Sequence, residues 1–210
     1  MLITFLLGVV LLLIWLWPTG ADATAISLIG KSIPYFVLLP FALSFLLGIV
    51  GGVLDIPERS FWLLVVAPIA LEEPIKFWAA RSQPTGIRTF AFVALFGIWE
   101  LMLFKPVHFS SVHALPWTAA IIHSLALPAA AMHLFTAAIY AFHFRGRAWL
   151  QLLVCMTAHA AFNASALLIP LAYLWLYALA FCVITVVLIP GKNSPRRGRW
   201  RDAVPEPDAV

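Results

Sequence analysis

The stretch Ala67–Ala80, APIALEEPIKFWAA, sets Glu72, Glu73 and Lys76 inside an otherwise apolar run. Its flanks are the composition a lipid bilayer accepts. A charged side chain at the centre of a membrane helix costs at least about 2.5–3.5 kcal/mol, so charges kept there usually have work to do. Whether this run is a membrane helix therefore decides both the fold and the chemistry.

The whole chain answers in the same sense. Of its 210 residues 63% are hydrophobic and 10% charged, whereas soluble domains run at about 45–50% and roughly 25%. A polytopic, all-α membrane protein follows. An open strand cannot satisfy its backbone in lipid, so every span is expected to be a helix. A bilayer core of about 30 Å takes about 17–25 apolar residues. Seven runs meet that length or nearly so: 1–17, 33–54, 60–80, 86–104, 117–143, 148–169 and 171–190. The breaks are polar or proline-bearing, and the last is Pro170 alone. No linker separates two domains, so residues 1–190 are expected to form one helical bundle. Residues 191–210 form a basic tail without apolar periodicity, expected to stay disordered against the anionic inner leaflet.

Charge sets the orientation. With the N-terminus outside, the inner segments hold Lys31, Arg81, Arg88, Arg145, Arg147, Lys192, Arg196, Arg197, Arg199 and Arg201, and the outer ones only Arg59 and Lys105. Ten basic residues against two is the bias expected of cytoplasmic loops, which places the C-terminus in the cytoplasm. The net charge of +4 thus reports membrane orientation and not a nucleic-acid partner. Residues 1–17 followed by ADA look like a signal peptide, but no basic n-region precedes them, so they read as a first span. Cys155 and Cys182 lie in apolar runs without metal or redox spacing, and read as packing residues. The many Trp and Phe side chains read as interface anchors and lipid contacts. No internal repeat of the transporter kind is visible.

Subtracting the loops leaves few polar side chains within the spans: Glu72, Glu73, Lys76, Glu100, His123, His133, His159 and Asn163. Glu72 and Lys76 are four apart and share a helix face, and Glu73 reaches the same lysine at a separation of three. His159 and Asn163, also four apart, present an imidazole and an amide together. Pro74 and Pro128 each remove a backbone hydrogen bond and are expected to bend their helices near the polar groups. At about 1.5 Å per residue, Glu72, His133 and His159 fall near mid-depth. Glu100 and His123 lie nearer the outer side, and His143 sits at the inner boundary. Singly, each residue has a structural reading: an ion pair between helices, an interhelical hydrogen bond, a buried protonated acid. Together they supply a base, acid partners and an oxyanion donor.

The ordered motifs EEPIK (Glu72, Glu73, Lys76), FGIWE (Phe96, Glu100), LPAAAMHLF (His133) and HAAFN (His159, Asn163) resemble those of PrsW-type membrane proteases. The wider group includes the CAAX prenyl endopeptidases with bacteriocin-processing proteins, and the Aph subunit of gamma-secretase. The resemblance covers about residues 60–169. Lys76 four positions after Glu72, and Glu100 in an FxxxE motif, favour the PrsW branch, while HAAFN is shared with the CAAX side. The resemblance implies a glutamic intramembrane protease of a prokaryotic plasma membrane that cuts membrane-anchored protein substrates. No HExxH motif, aspartate within a span or GxSG serine offers another protease chemistry.

In that reading Glu72 is the base that activates water and Glu73 orients Lys76. His159 holds the water or protonates the leaving nitrogen, and Asn163 donates to the oxyanion. His133 completes the polar cavity, and Glu100 is a second acid. A metal-free site is expected; the alternative is zinc held by Glu72, His133 and His159. A CAAX-type endopeptidase, a proton- or ion-coupled transporter and a non-catalytic scaffold are the competing functions.

The orientation is directly testable. Alkaline phosphatase fused after Val210 should be inactive, and a fluorescent reporter at the same position should fluoresce. Active phosphatase without fluorescence would overturn the seven-span arrangement.

Overall fold

In the computed structural model the described residues are 2–19, 23–54, 65–83, 86–104, 126–144 and 146–189. Seven helices run through them, and no strand occurs among the described residues. Helix α1 is Leu2–Thr19. Helix α2 covers 23–53: Ala23–Ile33 passes through a π-helical turn, Pro34–Leu38, into Leu39–Val53. Helix α3 is Ala67–Arg81. Helix α4 is Gly86–Trp99, continued by a second π-helical turn, Glu100–Phe104. Helices α5, α6 and α7 are Ala126–Phe142, Ala148–Leu168 and Leu171–Leu188. Three stretches are long and apolar enough to cross a membrane by length and composition: Ala25–Val53, Gly86–Leu103 and Ala148–Leu168.

One boundary differs from those read in the sequence. Helix α2 begins at Ala23 and not at residue 33. Pro34 does not end it, because the wider π-helical turn that starts there absorbs the missing N–H. Helix α3 runs unbroken through Pro74. Pro128 sits in the first turn of α5 as described. The first parts of the expected spans 60–80 and 117–143, at 60–64 and 117–125, with His123 and the tail at 191–210, lie outside the described residues.

Helices α4 and α5 form the centre. Residues Phe92–Ile98 of α4 are buried without interruption, as are Ala129–His133 and Thr136–Phe142 of α5. Helix α5 packs against both α4 and α7, and α3 packs against α4 and α6. The alanines of α5 let its neighbours come close. At the level of His133 the approach needs a glycine: a Cβ on Gly97 would sit 3.0 Å from the His133 Cβ. Several phenylalanines expected to face lipid are core residues instead. Phe36, Phe92 and Phe96 are buried, and Phe36 meets the other two rings at inclined angles with centroid distances of 5.1 and 5.5 Å. Trp15 and Trp99 donate their indole N–H groups inward, to the Ala91 carbonyl and the Ser32 hydroxyl.

The turn between α5 and α6 is closed by side chains as well as backbone. Phe144 takes a left-handed φ of 52°, and the Arg147 N–H donates to the Phe144 carbonyl at 2.7 Å. The buried Gln151 amide then donates to the carbonyls of Ile139, Tyr140 and His143, satisfying the end of α5. Between α6 and α7 the backbone is extended at Ile169 and Pro170, and the chain reverses. Ser165 reaches the Tyr177 hydroxyl at 3.1 Å, while the His143 imidazole reaches the Leu188 carbonyl at 3.0 Å. The last two apolar runs are therefore two helices. Both cysteines are free, Cys155 buried and Cys182 exposed.

Candidate functional site

Helices α3, α4, α5 and α6 bring their ionisable side chains to one place inside the bundle. The node is Glu73, on the inward face of α3. Its Oε1 accepts from the Lys76 ammonium one turn along and from His159 Nδ1 at 2.7 Å. Its Oε2 accepts from the Tyr140 hydroxyl at 2.9 Å. Glu73, Lys76, His133, Tyr140 and His159 are all buried.

Lys76 extends the network toward α4. Its ammonium lies 3.1 Å from His133 Nδ1 and 4.7 Å from the centroid of the Phe96 ring, a cation–π contact. His133 Nε2 bonds to Glu100 Oε2. Glu100 opens the π-helical turn that ends α4, and turns of this kind recur at functional sites. The sequence placed Glu100 nearer the outer side than the others; in the structure it joins them through His133.

Proton positions follow from donor and acceptor counts. An ammonium only donates, so His133 Nδ1 accepts from Lys76 and its Nε2 carries the proton offered to Glu100. Glu73, paired to that ammonium, is an ionised acceptor, so His159 Nδ1 carries the proton it gives to Glu73. With the ring neutral, His159 Nε2 is then a bare acceptor. It faces Glu72 Oε2 across 3.9 Å, too far for a hydrogen bond. That Glu72 oxygen is itself buried and has no hydrogen-bond partner among the described residues. Five side chains are thus joined, His159–Glu73–Lys76–His133–Glu100, and Glu72 stands just off one end. The terminal carboxyls are the least enclosed, Glu72 at 18% and Glu100 at 14% exposure.

Spacing allowed either glutamate to take Lys76, and the structure gives the lysine to Glu73. Asn163 lies one turn past His159 on the same face of α6 and is half-buried. Tyr140 was not found from the sequence. The available signal was its place two turns after His133, on the same face of α5. The alternative zinc set fits poorly. Both His133 nitrogens are engaged, and a cation at Nδ1 would meet the Lys76 ammonium.

No known protein family, curated protein or solved structure matches this chain.

Two substitutions on α3 should behave differently. Lys76→Ala strips a donor from buried Glu73 and from His133, and breaking such a pair should cost about 3–5 kcal/mol. Glu72→Gln removes a carboxylate oxygen that has no partner to lose, so its thermal midpoint should stay near the wild-type value. Equal destabilisation of the two variants, read by thermal unfolding, would make Glu72 a structural ion-pair member.

Proposed function

We propose that the chain is a seven-span integral membrane protein, N-terminus outside, and an endopeptidase of membrane-anchored protein substrates. The proposed nucleophile is a water activated by Glu72. One observation carries this reading: the partnerless Glu72 oxygen faces an imidazole nitrogen whose other nitrogen is fixed by Glu73. A purely structural cluster would satisfy Glu72, as it satisfies Glu73. Leaving a buried acceptor unpaired costs about 1–3 kcal/mol, and a substrate water removes that cost.

A water between the two acceptors donates one O–H to Glu72 Oε2 and the other to His159 Nε2. Two acceptors of one water stand about 4.5 Å apart, slightly wider than the 3.9 Å here, so a small side-chain movement admits it. Its lone pairs then point away from both residues, toward a substrate carbonyl. Glu72 takes the proton as the oxygen adds to the carbonyl carbon, and returns it to the leaving amine nitrogen. Glu73, held by Lys76 and Tyr140, keeps His159 in the tautomer that accepts. Asn163, one turn beyond His159, is the proposed donor to the oxyanion. The His133–Glu100 pair closes the far side of Lys76. No metal is needed in this scheme. The motif resemblance supports the same reading from the sequence side, and the CAAX-type specificity remains the alternative within it.

The test starts with substrate discovery. Single-span and tail-anchored membrane proteins co-expressed with wild type or Glu72→Gln are compared by mass spectrometry, and wild-type-only cleavage products identify the substrate. On that substrate, Glu72→Gln and His159→Ala should each abolish cleavage, and the double variant should be no worse than either. Asn163→Ala should retain activity lowered by about 10²–10³, and Glu100→Gln should fall between. A chelator should change little, whereas loss rescued by zinc would hand the water to a metal. Full cleavage by folded Glu72→Gln would sink the mechanism. Solute uptake into proteoliposomes without cleavage would favour the transporter.

A further inference from the structure

Where α3 and α5 end and α6 begins, a cavity of about 190 Å³ is lined by Ala80, Arg81, Gln83, Tyr140 and Gln151. At about 30 Å³ per water it holds the equivalent of several waters, the bulk of a small polar headgroup. Arg81 is exposed and Gln151 is buried, so the cavity runs inward from the surface. These two side chains give it a chemical bias.

The Arg81 guanidinium stacks over the Phe77 ring at 4.8 Å, which fixes its plane and leaves its N–H edge open. Among the described residues it pairs with no carboxylate. A fixed guanidinium without a counter-charge suits a phosphate. Gln151 is only 2% exposed. Its amide nitrogen donates to the carbonyls of Ile139, Tyr140 and His143, so the nitrogen faces the end of α5 and the oxygen faces away from it. That oxygen has no donor among the described residues, and it is not walled in. The closed-in side-chain oxygens without a partner there are Glu72 Oε2 and Thr185 Oγ1. Gln151 Oε1 therefore opens on the cavity that the residue lines and is free to accept. Helices α3 and α5 both bring their C-terminal, negative dipole ends to this place, which favours a donor that is a cation.

The surroundings match the headgroup level of a membrane. At the same end of the bundle Phe144 and Trp149 are 43% and 66% exposed, and Arg147 between them is exposed as well. Aromatic and basic side chains gather at that depth.

We propose that the cavity is a phospholipid headgroup site selective for phosphoethanolamine, with the phosphate on Arg81 and the ammonium on Gln151 Oε1. A phosphocholine headgroup carries the same charges but has no N–H to give, so it leaves the Gln151 oxygen unpaired. The inference rests on the membrane placement of the chain and not on peptidase activity, and lipid binding is read without any protein substrate.

The test is native mass spectrometry of the full-length protein in detergent, titrated with phosphatidylethanolamine or phosphatidylcholine of identical acyl chains. The ethanolamine lipid should be retained about tenfold more strongly, the worth of one charge-assisted hydrogen bond. Equal retention of the two lipids by the wild-type protein would overturn the proposal, and a cavity that holds only water gives that result. Arg81→Gln should lower retention of the ethanolamine lipid about tenfold, whereas Arg147→Gln, outside the cavity lining, should leave it unchanged. Retention untouched by Arg81→Gln, or lowered as much by Arg147→Gln, would show adsorption to a basic surface and would equally end the proposal.

Discussion

Everything in the interior depends on the Glu73 carboxylate and the three donors that meet it. A fully buried carboxylate is tolerated only when its charge is paired and its lone pairs are filled. Lys76 supplies the charge, and His159 and Tyr140 complete the hydrogen bonds. Those donors come from α3, α6 and α5, so one side chain ties three helices together. The fold and the site are the same interaction seen at two scales.

This arrangement separates two neighbouring glutamates by environment. Glu73 accepts from three donors, Lys76, His159 and Tyr140. Glu72, one residue earlier and about 100° around the helix, keeps a buried oxygen with no hydrogen-bond partner among the described residues. His159 connects the two, fixed on one nitrogen and open on the other. A base beside an oriented imidazole recurs in hydrolytic sites because each step needs an acceptor held ready before the substrate arrives.

Much of this was legible in the sequence, for physical reasons that also explain what was missed. Long apolar runs mark helices plainly, and a charged residue inside one stands out, so Glu72, Glu73, Lys76, Glu100, His133, His159 and Asn163 could be named as a group. Partnership was less visible. Separations of three and four both bring a glutamate to Lys76, and only the orientation of α3 against α5 and α6 selects Glu73. Tyr140 stayed hidden because tyrosine in an apolar helix is as often a packing or boundary residue as a hydrogen-bond donor. The early start of α2 was missed because ATAISLIGKSI carries serine, threonine and lysine, and Pro34 reads as a stop. Its π-helical turn is a tertiary accommodation with no local signature. The aromatic residues as a group read as interface anchors and lipid contacts, yet Phe36, Phe92 and Phe96 are buried, since helix composition alone does not say which face packs inward.

The tautomer of His159 is the most direct measurement. In the folded protein at neutral pH, ¹⁵N NMR of the labelled histidine should find a neutral ring with the proton on Nδ1 and a bare Nε2. A proton on Nε2, donated to Glu72, would contradict it: Glu72 would then be satisfied within the protein, and no acceptor pair would remain to hold a water.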